Sequence, residues 1–154
     1  MDKIRYLTTE SVTELHTFIL NTSGGRHGFK DKNSLSSTLC FVQYDEYYKT
    51  FIDKISYLIF SIASNHCFVD GNKRTAISSA SLFLMINNYE YCIDRFIVDM
   101  EYLVVALVEH KIDRDTLSLF IECILNDDDY PENLKLIMFN IMDNQINRHI
   151  DNRG

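Results

Sequence analysis

His66-Cys67-Phe68-Val69-Asp70-Gly71-Asn72-Lys73-Arg74 is a polar stretch set between two apolar runs, and the fold is read outward from it. Before it, Phe51, Ile55, Leu58, Ile59 and Ile62 recur at helical spacing from about Lys49 to Ser64, and Asn65 ends the run. After it, Ala76, Ala80, Leu82, Phe83 and Ile86 mark the inward side of a second helix from about Asn72 to Ile86. Asn87-Asn88 stops that helix, and the small residues at 76 and 80 permit close packing. The stretch thus reads as a site carried on a helical scaffold.

The rest of the chain has the same texture. Thr8 or Thr9 can cap a helix with Glu10 and Glu14 early in it and Val12, Leu15, Phe18 and Ile19 on one side. Ser23-Gly24-Gly25 and Gly28 end it in a loop expected to be flexible. Asp31 to Asn33 offer a cap for a short helix around Ser34 to Leu39. Residues 40–48 are aromatic and branched, which suits a small β-hairpin flap turning at Tyr44 to Glu46. Tyr89 to Ile93 reads as a short extended piece, and Asp99 as the cap of a helix from Met100 to Lys111. Asp113 or Asp115 starts another helix, carrying Leu117, Phe120, Ile121 and Ile124. Pro131 is placed as a first helical residue. It opens an extra C-terminal helix at about 131–150 with Leu134, Ile137, Met138, Ile141 and Met142. The expected fold is all-α: one domain over residues 1–154, a bundle of about six or seven helices.

Composition supports this. The 154 residues are 46% hydrophobic and 24% charged, enough for one packed core. One proline and five glycines leave long segments without breakers. A net charge of -7 argues against broad nucleic-acid binding, although Lys73 and Arg74 leave room for a local basic pocket. Cys40, Cys67, Cys92 and Cys123 form no CxxC pair, so reduced, mostly buried thiols in a cytoplasmic protein are expected. Met1 to Thr9 is polar, so no secretory leader is expected, and no apolar run reaches membrane-spanning length.

The chemistry of the central stretch follows from its residue types. Gly71-Asn72 precedes a helix whose first turn holds Lys73 and Arg74. Free N–H groups at a helix N-terminus bind anions, and glycine lets a phosphate approach the backbone. Arg74 adds a fork for phosphate oxygens and Lys73 a point charge. Asp70 beside such a cradle suits Mg²⁺, and His66 can take a proton from a hydroxyl. Base, metal carboxylate and cradle together describe phosphoryl or nucleotidyl transfer. The plain alternative is a turn and cap, but two cations in a first turn oppose the helix dipole, which a cap does not explain.

His66-x-Phe68-x-Asp70-Gly71-Asn72-Lys73-Arg74 resembles the signature loop of the Fic/Doc family, closest to its death-on-curing (Doc) branch. Tyr6-Leu7-Thr8, Leu15-His16, Gly24-Gly25, Gly28 and Asp31 before the loop also fit, as do Thr75-Ala76, Leu82-Phe83-Leu84 and Asn88-Tyr89-Glu90 after it. The likeness covers about residues 4 to 125. It implies that His66 deprotonates a target hydroxyl and that Asp70 holds Mg²⁺ on the phosphates of ATP. It further implies that Gly71, Asn72 and Arg74 receive those phosphates and that the flap at 40–48 presents the target.

Two departures from most Fic sequences bear on what is transferred. Lys73 stands where they have glycine, and Ile77 where they have a second arginine. Those proteins move AMP, whereas lysine and the missing arginine resemble Doc, a protein kinase that binds ATP reversed. Lysine fills the space that glycine leaves and brings charge to a phosphate. Gly71 is the Fic-like choice, where Doc has alanine. The resemblance implies a toxin that phosphorylates a threonine of elongation factor Tu and so inhibits translation. The alternatives are a Fic-like adenylyltransferase and a catalytically silent partner-binding module.

Family members are restrained by a helix with a Ser/Thr-x-x-x-Glu-Gly/Asn pattern or by a separate antitoxin. Ser118 to Glu122 has the spacing but is followed by Cys123 within a core-type helix. A separate antitoxin is therefore the expected partner. The C-terminal helix is expected to add packing, with a homodimer or antitoxin surface as the alternative.

Overall fold

The computed structural model describes residues 2–154. Seven α-helices follow in order: α1 Thr9–Ser23, α2 Lys32–Phe41, α3 Phe51–Ser64, α4 Asn72–Ile86, α5 Ile93–Val108, α6 Arg114–Leu125 and α7 Glu132–Asp151. Four begin on side-chain caps, which satisfy backbone donors that a helix leaves open. Thr8 accepts from Ser11 N, Asp31 from Ser34 N, Thr50 from Asp53 N and Asp113 from Thr116 N. Thr8–Ser11 and Thr50–Asp53 are reciprocal, with the later side chain accepting from the cap backbone.

The bundle is built around α3 and α4. Ile55, Leu58, Ile59 and Ile62 of α3 and Ala76, Ala80, Phe83 and Leu84 of α4 are all buried. α4 also packs on α1 and α5, α6 packs on α3 and α5, and α7 packs on α5. The connection from α3 to α4 is therefore a short loop held at the end of the two most enclosed helices. Burial of each large apolar side chain in that pair stabilises the fold by about 1.5–3 kcal/mol, so the loop's two anchors are firm.

Several local expectations are corrected. Residues 40–48 form no hairpin. α2 runs through Phe41, and turns follow in which Gln43 N, Tyr44 N and Tyr48 N donate to Cys40 O, Phe41 O and Tyr44 O. Lys54, a fully buried lysine of α3, holds the segment in this form. Its ammonium donates to Val42 O at 3.0 Å and to the Asp45 carboxylate at 2.8 Å, taking the carbonyl that a strand partner would need. Among the described residues the sole β-bridge joins Phe29 to Phe68.

Tyr89 to Ile93 is not extended either: Glu90–Cys92 is a 3₁₀ turn leading straight into α5. Asp99 lies inside α5 and caps nothing. It accepts from the Tyr130 hydroxyl and lies 3.9 Å from Arg95, so it staples α5 to the segment before α7. Pro131 stands one position outside α7, at its N-cap position, and makes no side-chain cap bond. Phe18 is exposed, and the buried positions of α1 are Val12, His16 and Leu20. Of the four free cysteines, Cys67 and Cys92 are buried and Cys40 is exposed.

On α7, Leu134, Met138 and Ile141 are buried, as the packing reading expects, while Leu136, Phe139, Ile146 and Ile150 face outward. No described helix is long and apolar enough to cross a membrane.

Candidate active site

The loop between α3 and α4 is fixed from below by one aromatic side chain. Phe68 is 1% exposed and stacks on the His16 ring with centroids 3.7 Å apart and on Phe29 at 5.0 Å. Backbone bonds hold the loop from the side. Val69 N donates to Gly28 O at 3.0 Å, and Lys30 N and Asp31 N both donate to Cys67 O. Asn72 then clasps the loop across its base. Its Oδ1 accepts from Phe68 N at 3.0 Å and its Nδ2 donates to Phe68 O at 2.9 Å. The asparagine side chain thus shapes the loop, with one Nδ2–H and one Oδ1 lone pair left over.

Above these anchors stand the groups with chemistry. His66 is exposed and sits at φ 51, in the left-handed region, directly after Asn65 closes α3. That conformation is costly for a residue other than glycine and turns the chain sharply out of the helix. Gly71 has φ 78 and precedes α4 without any side-chain cap bond. The first-turn N–H groups of α4, at Asn72, Lys73 and Arg74, are therefore not capped by a side chain. An uncapped N-terminus with two adjacent cations is suited to an anion.

Asp70 sits beside this cradle. Its Oδ1 accepts from Gly71 N at 2.8 Å and its Oδ2 from Arg26 N at 3.1 Å. These two backbone donors, aided by the charges of Arg74 and Arg26, hold its carboxyl below the usual aspartate range. The carboxylate stays ionised and is 41% exposed. Each oxygen keeps lone pairs free. No group of three or more acidic, histidine or cysteine side chains that could hold a metal exists among the described residues. One ionised carboxylate with free lone pairs is compatible with Mg²⁺, which takes one or two carboxylates and fills its shell with phosphate oxygens and water, and it does not make an all-protein cage.

Arg74 is tied back by its Nη1, which donates to Ser23 Oγ at 2.7 Å and Gly24 O at 2.8 Å. Its Nη2 lies 3.8 Å from Asp70 Oδ1. The segment after α1 is thus a strap over the site, not the flexible loop its glycines suggest. Gly25 explains why glycine is needed there: at φ 128, a Cβ would lie 2.8 Å from Asp70 Oδ2 and 3.1 Å from Arg74 Nη2. Lys73 is exposed, and no ion pair engages it among the described residues.

From the sequence, His16 is noted only as part of the family likeness and Ser23 only as a helix end, with no role at the site for either, and Arg26 is passed over. His16 is 3% exposed and donates its Nε2–H to Asp70 O at 2.8 Å. Burial holds its imidazole below the ordinary histidine range, chiefly against the pull of that same hydrogen bond. Besides that likeness, the signal for His16 is a polar residue at a helical position shared with Val12 and Leu20. Ser118, the first residue of the inhibitor-like pattern, shares a 2.8 Å hydrogen bond with Ser56 of α3, so that segment is a packing helix.

Comparison with known proteins agrees with the geometry. A family model described as the Fic/DOC family matches residues 6–84. The chain belongs to the Fic/Doc family. It is 33% identical over 91 residues to the protein kinase Doc of Escherichia phage P1, covering 56% of this chain and 71% of that protein. It is 32% identical over 99 residues to the toxin Doc of Mycolicibacterium smegmatis, covering 62% of this chain and 76% of the relative. The Fic/Doc match spans the helices that build the loop and its strap, from before α1 into α4, and it ends at Leu84.

Proposed function

We propose that this chain is a Doc-like toxin: a protein kinase that moves the γ-phosphate of ATP to a threonine hydroxyl of a translation factor and so inhibits translation. Elongation factor Tu is the target that the resemblance implies. The observation that carries the reading is Lys73, an exposed cation without an ion pair in the first turn of an uncapped helix, with Ile77 where most Fic proteins have a second arginine. The names of the relatives, a protein kinase and a toxin, support the same class.

In this reading the target hydroxyl approaches His66, whose exposed imidazole takes its proton. The hydroxyl oxygen bonds to the γ-phosphorus as the bond to the ADP oxygen breaks. Arg74 and the backbone N–H groups of α4 receive the charge that develops on the phosphates. Mg²⁺ on Asp70 would neutralise phosphate charge and hold the nucleotide. Asn72 acts by fixing the loop, since both ends of its amide are bonded to Phe68. A separate antitoxin restrains the enzyme in cytoplasm.

Gly71 favours the second reading, transfer of AMP, but its geometry weakens that argument. Gly71 has φ 78, and a Cβ there would lie 3.1 Å from Leu20 Cδ2. Glycine at 71 follows from the turn and from Leu20, whichever way the nucleotide lies.

The deciding experiment incubates the protein and the target with ATP labelled at the α- or the γ-phosphate. Label from the γ-position alone, lost in His66→Ala, is expected. Label from the α-position alone overturns the kinase reading in favour of AMP transfer. No label from either, together with normal growth of cells making the protein, favours a silent binding module.

A further inference from the structure

The strap over the site carries a cation that the mechanism above does not use. The backbone N–H of Arg26 is bonded to Asp70 Oδ2 at 3.1 Å, which fixes the Arg26 backbone at the edge of the cradle. Gly25, one position earlier, lies so close that a Cβ there would touch both Asp70 and Arg74. The Arg26 side chain is exposed, and its guanidinium makes no hydrogen bond or ion pair among the described residues. Its charge is nevertheless near enough to help hold the Asp70 carboxyl in its ionised form.

Arg74, by contrast, has one nitrogen already committed to Ser23 and Gly24. It presents only part of its fork, and Ile77 on the next turn of α4 supplies no charge. A polyphosphate chain seated on α4 would still carry several charges, in a protein whose overall charge is -7. A free guanidinium with five donors, on a strap pinned within hydrogen-bonding distance of the metal carboxylate, is the group placed to meet them.

We propose that Arg26 is a second phosphate-binding arginine, delivered from the strap between α1 and α2. Its guanidinium would meet the phosphate chain of a nucleotide seated on the N-terminus of α4. The proposal rests on the reading of this site as a nucleotide phosphate site. It names a residue that acts on binding of the phosphates, with adenine and the target hydroxyl untouched.

The test is calorimetric titration of the full chain with magnesium tripolyphosphate and, separately, with MgATP. The variants are Arg26→Ala and Arg26→Lys. Loss of one charge-assisted contact should weaken tripolyphosphate about tenfold or more in Arg26→Ala, with partial recovery in Arg26→Lys. An equal affinity in the parent and Arg26→Ala overturns the proposal. If the parent binds tripolyphosphate through Arg26 yet does not bind MgATP, the arginine assignment stands and the nucleotide reading of the site falls. If the parent binds neither, both fall.

Discussion

The Nε2–H of His16 donates to the backbone carbonyl of Asp70 at 2.8 Å, tying the acidic residue of the loop to a helix 54 positions earlier in the chain. The same ring lies flat on Phe68, at 9° to it. His16 therefore sets both the height and the direction of the segment that carries Asp70. It touches no reacting atom and acts through Asp70, as a positioning residue.

Replacing His16 by phenylalanine separates these two contacts. His16→Phe keeps a ring on Phe68 and removes the donor, leaving the Asp70 carbonyl unpaired. Stability should fall by about 1–2 kcal/mol in urea unfolding. Transfer should fall tenfold or more in the labelled-ATP assay at a temperature where the variant is fully folded, because small displacements of a positioning group are costly in rate. A variant with reduced stability and parental transfer would show that the tie serves folding alone.

The same histidine gives the fold a pH dependence of definite sign. Burial holds the His16 pKa below its ordinary value of 6.5, so the unfolded chain binds the proton more readily than the folded one. Folding stability therefore declines as pH falls below about 6.5 and levels off once the folded-state pKa is passed. Asp70 adds to the same trend at lower pH. Its carboxyl is held below 3.8 by the N–H groups of Arg26 and Gly71, so its contribution is present above that value and is lost on further acidification through the folded pKa. Urea midpoints measured between pH 7.5 and pH 5 should fall for the parent. They should fall less for His16→Phe, and equal slopes would assign the effect to other groups.

The nine-residue stretch was legible because its chemistry is local. A glycine, an amide, a carboxylate and two cations meet at one helix N-terminus, and their spacing places them there without knowledge of the rest. The apolar periodicity of α3, α4 and α6 was legible for a similar reason. What escaped depends on contacts between distant segments. Nothing in the sequence marks Lys54, whose ammonium bonds to Val42 O and Asp45 and holds an aromatic stretch with strand propensity as turns. Asp99 has the composition of a cap, but Tyr130 and Arg95 hold it inside a helix that starts six residues earlier. The strap of Ser23 to Arg26 looked mobile because glycine frees an unpartnered chain. Here those glycines admit a close approach to Asp70 and Arg74.

Asn72 offers a test between clasp and ligand contact. Asn72→Ala removes an acceptor for Phe68 N–H and a donor to Phe68 O, both at the base of the loop. Losing the two bonds together should cost about 2–4 kcal/mol in urea unfolding. Nucleotide affinity should fall as well, since the loop is no longer held. An unchanged unfolding midpoint with weaker nucleotide binding would instead make the Asn72 side chain a direct phosphate contact.

The glycines of the strap separate backbone strain from obstruction of the site. Gly25 and Gly28 both have φ values that side chains rarely adopt, 128 and 115. Alanine at either should therefore cost about 1–3 kcal/mol of stability. Beyond that shared strain the two differ. A Cβ on Gly28 meets only Val69 Cγ2, at an ordinary 3.7 Å, whereas a Cβ on Gly25 meets Asp70 Oδ2 and Leu20 Cδ2 at 2.8 Å and Arg74 Nη2 at 3.1 Å. Gly25→Ala forces Asp70, Leu20 or the strap itself to shift and crowds Arg74. Gly28→Ala crowds neither Asp70 nor Arg74. With both variants fully folded, transfer by Gly25→Ala should drop at least tenfold below that of Gly28→Ala, in line with the rate cost of misplacing catalytic groups. Equal losses in the two would mean that strain in the strap, transmitted through its backbone bonds, is what the site feels, and that the narrow gap above Asp70 has no separate part in catalysis.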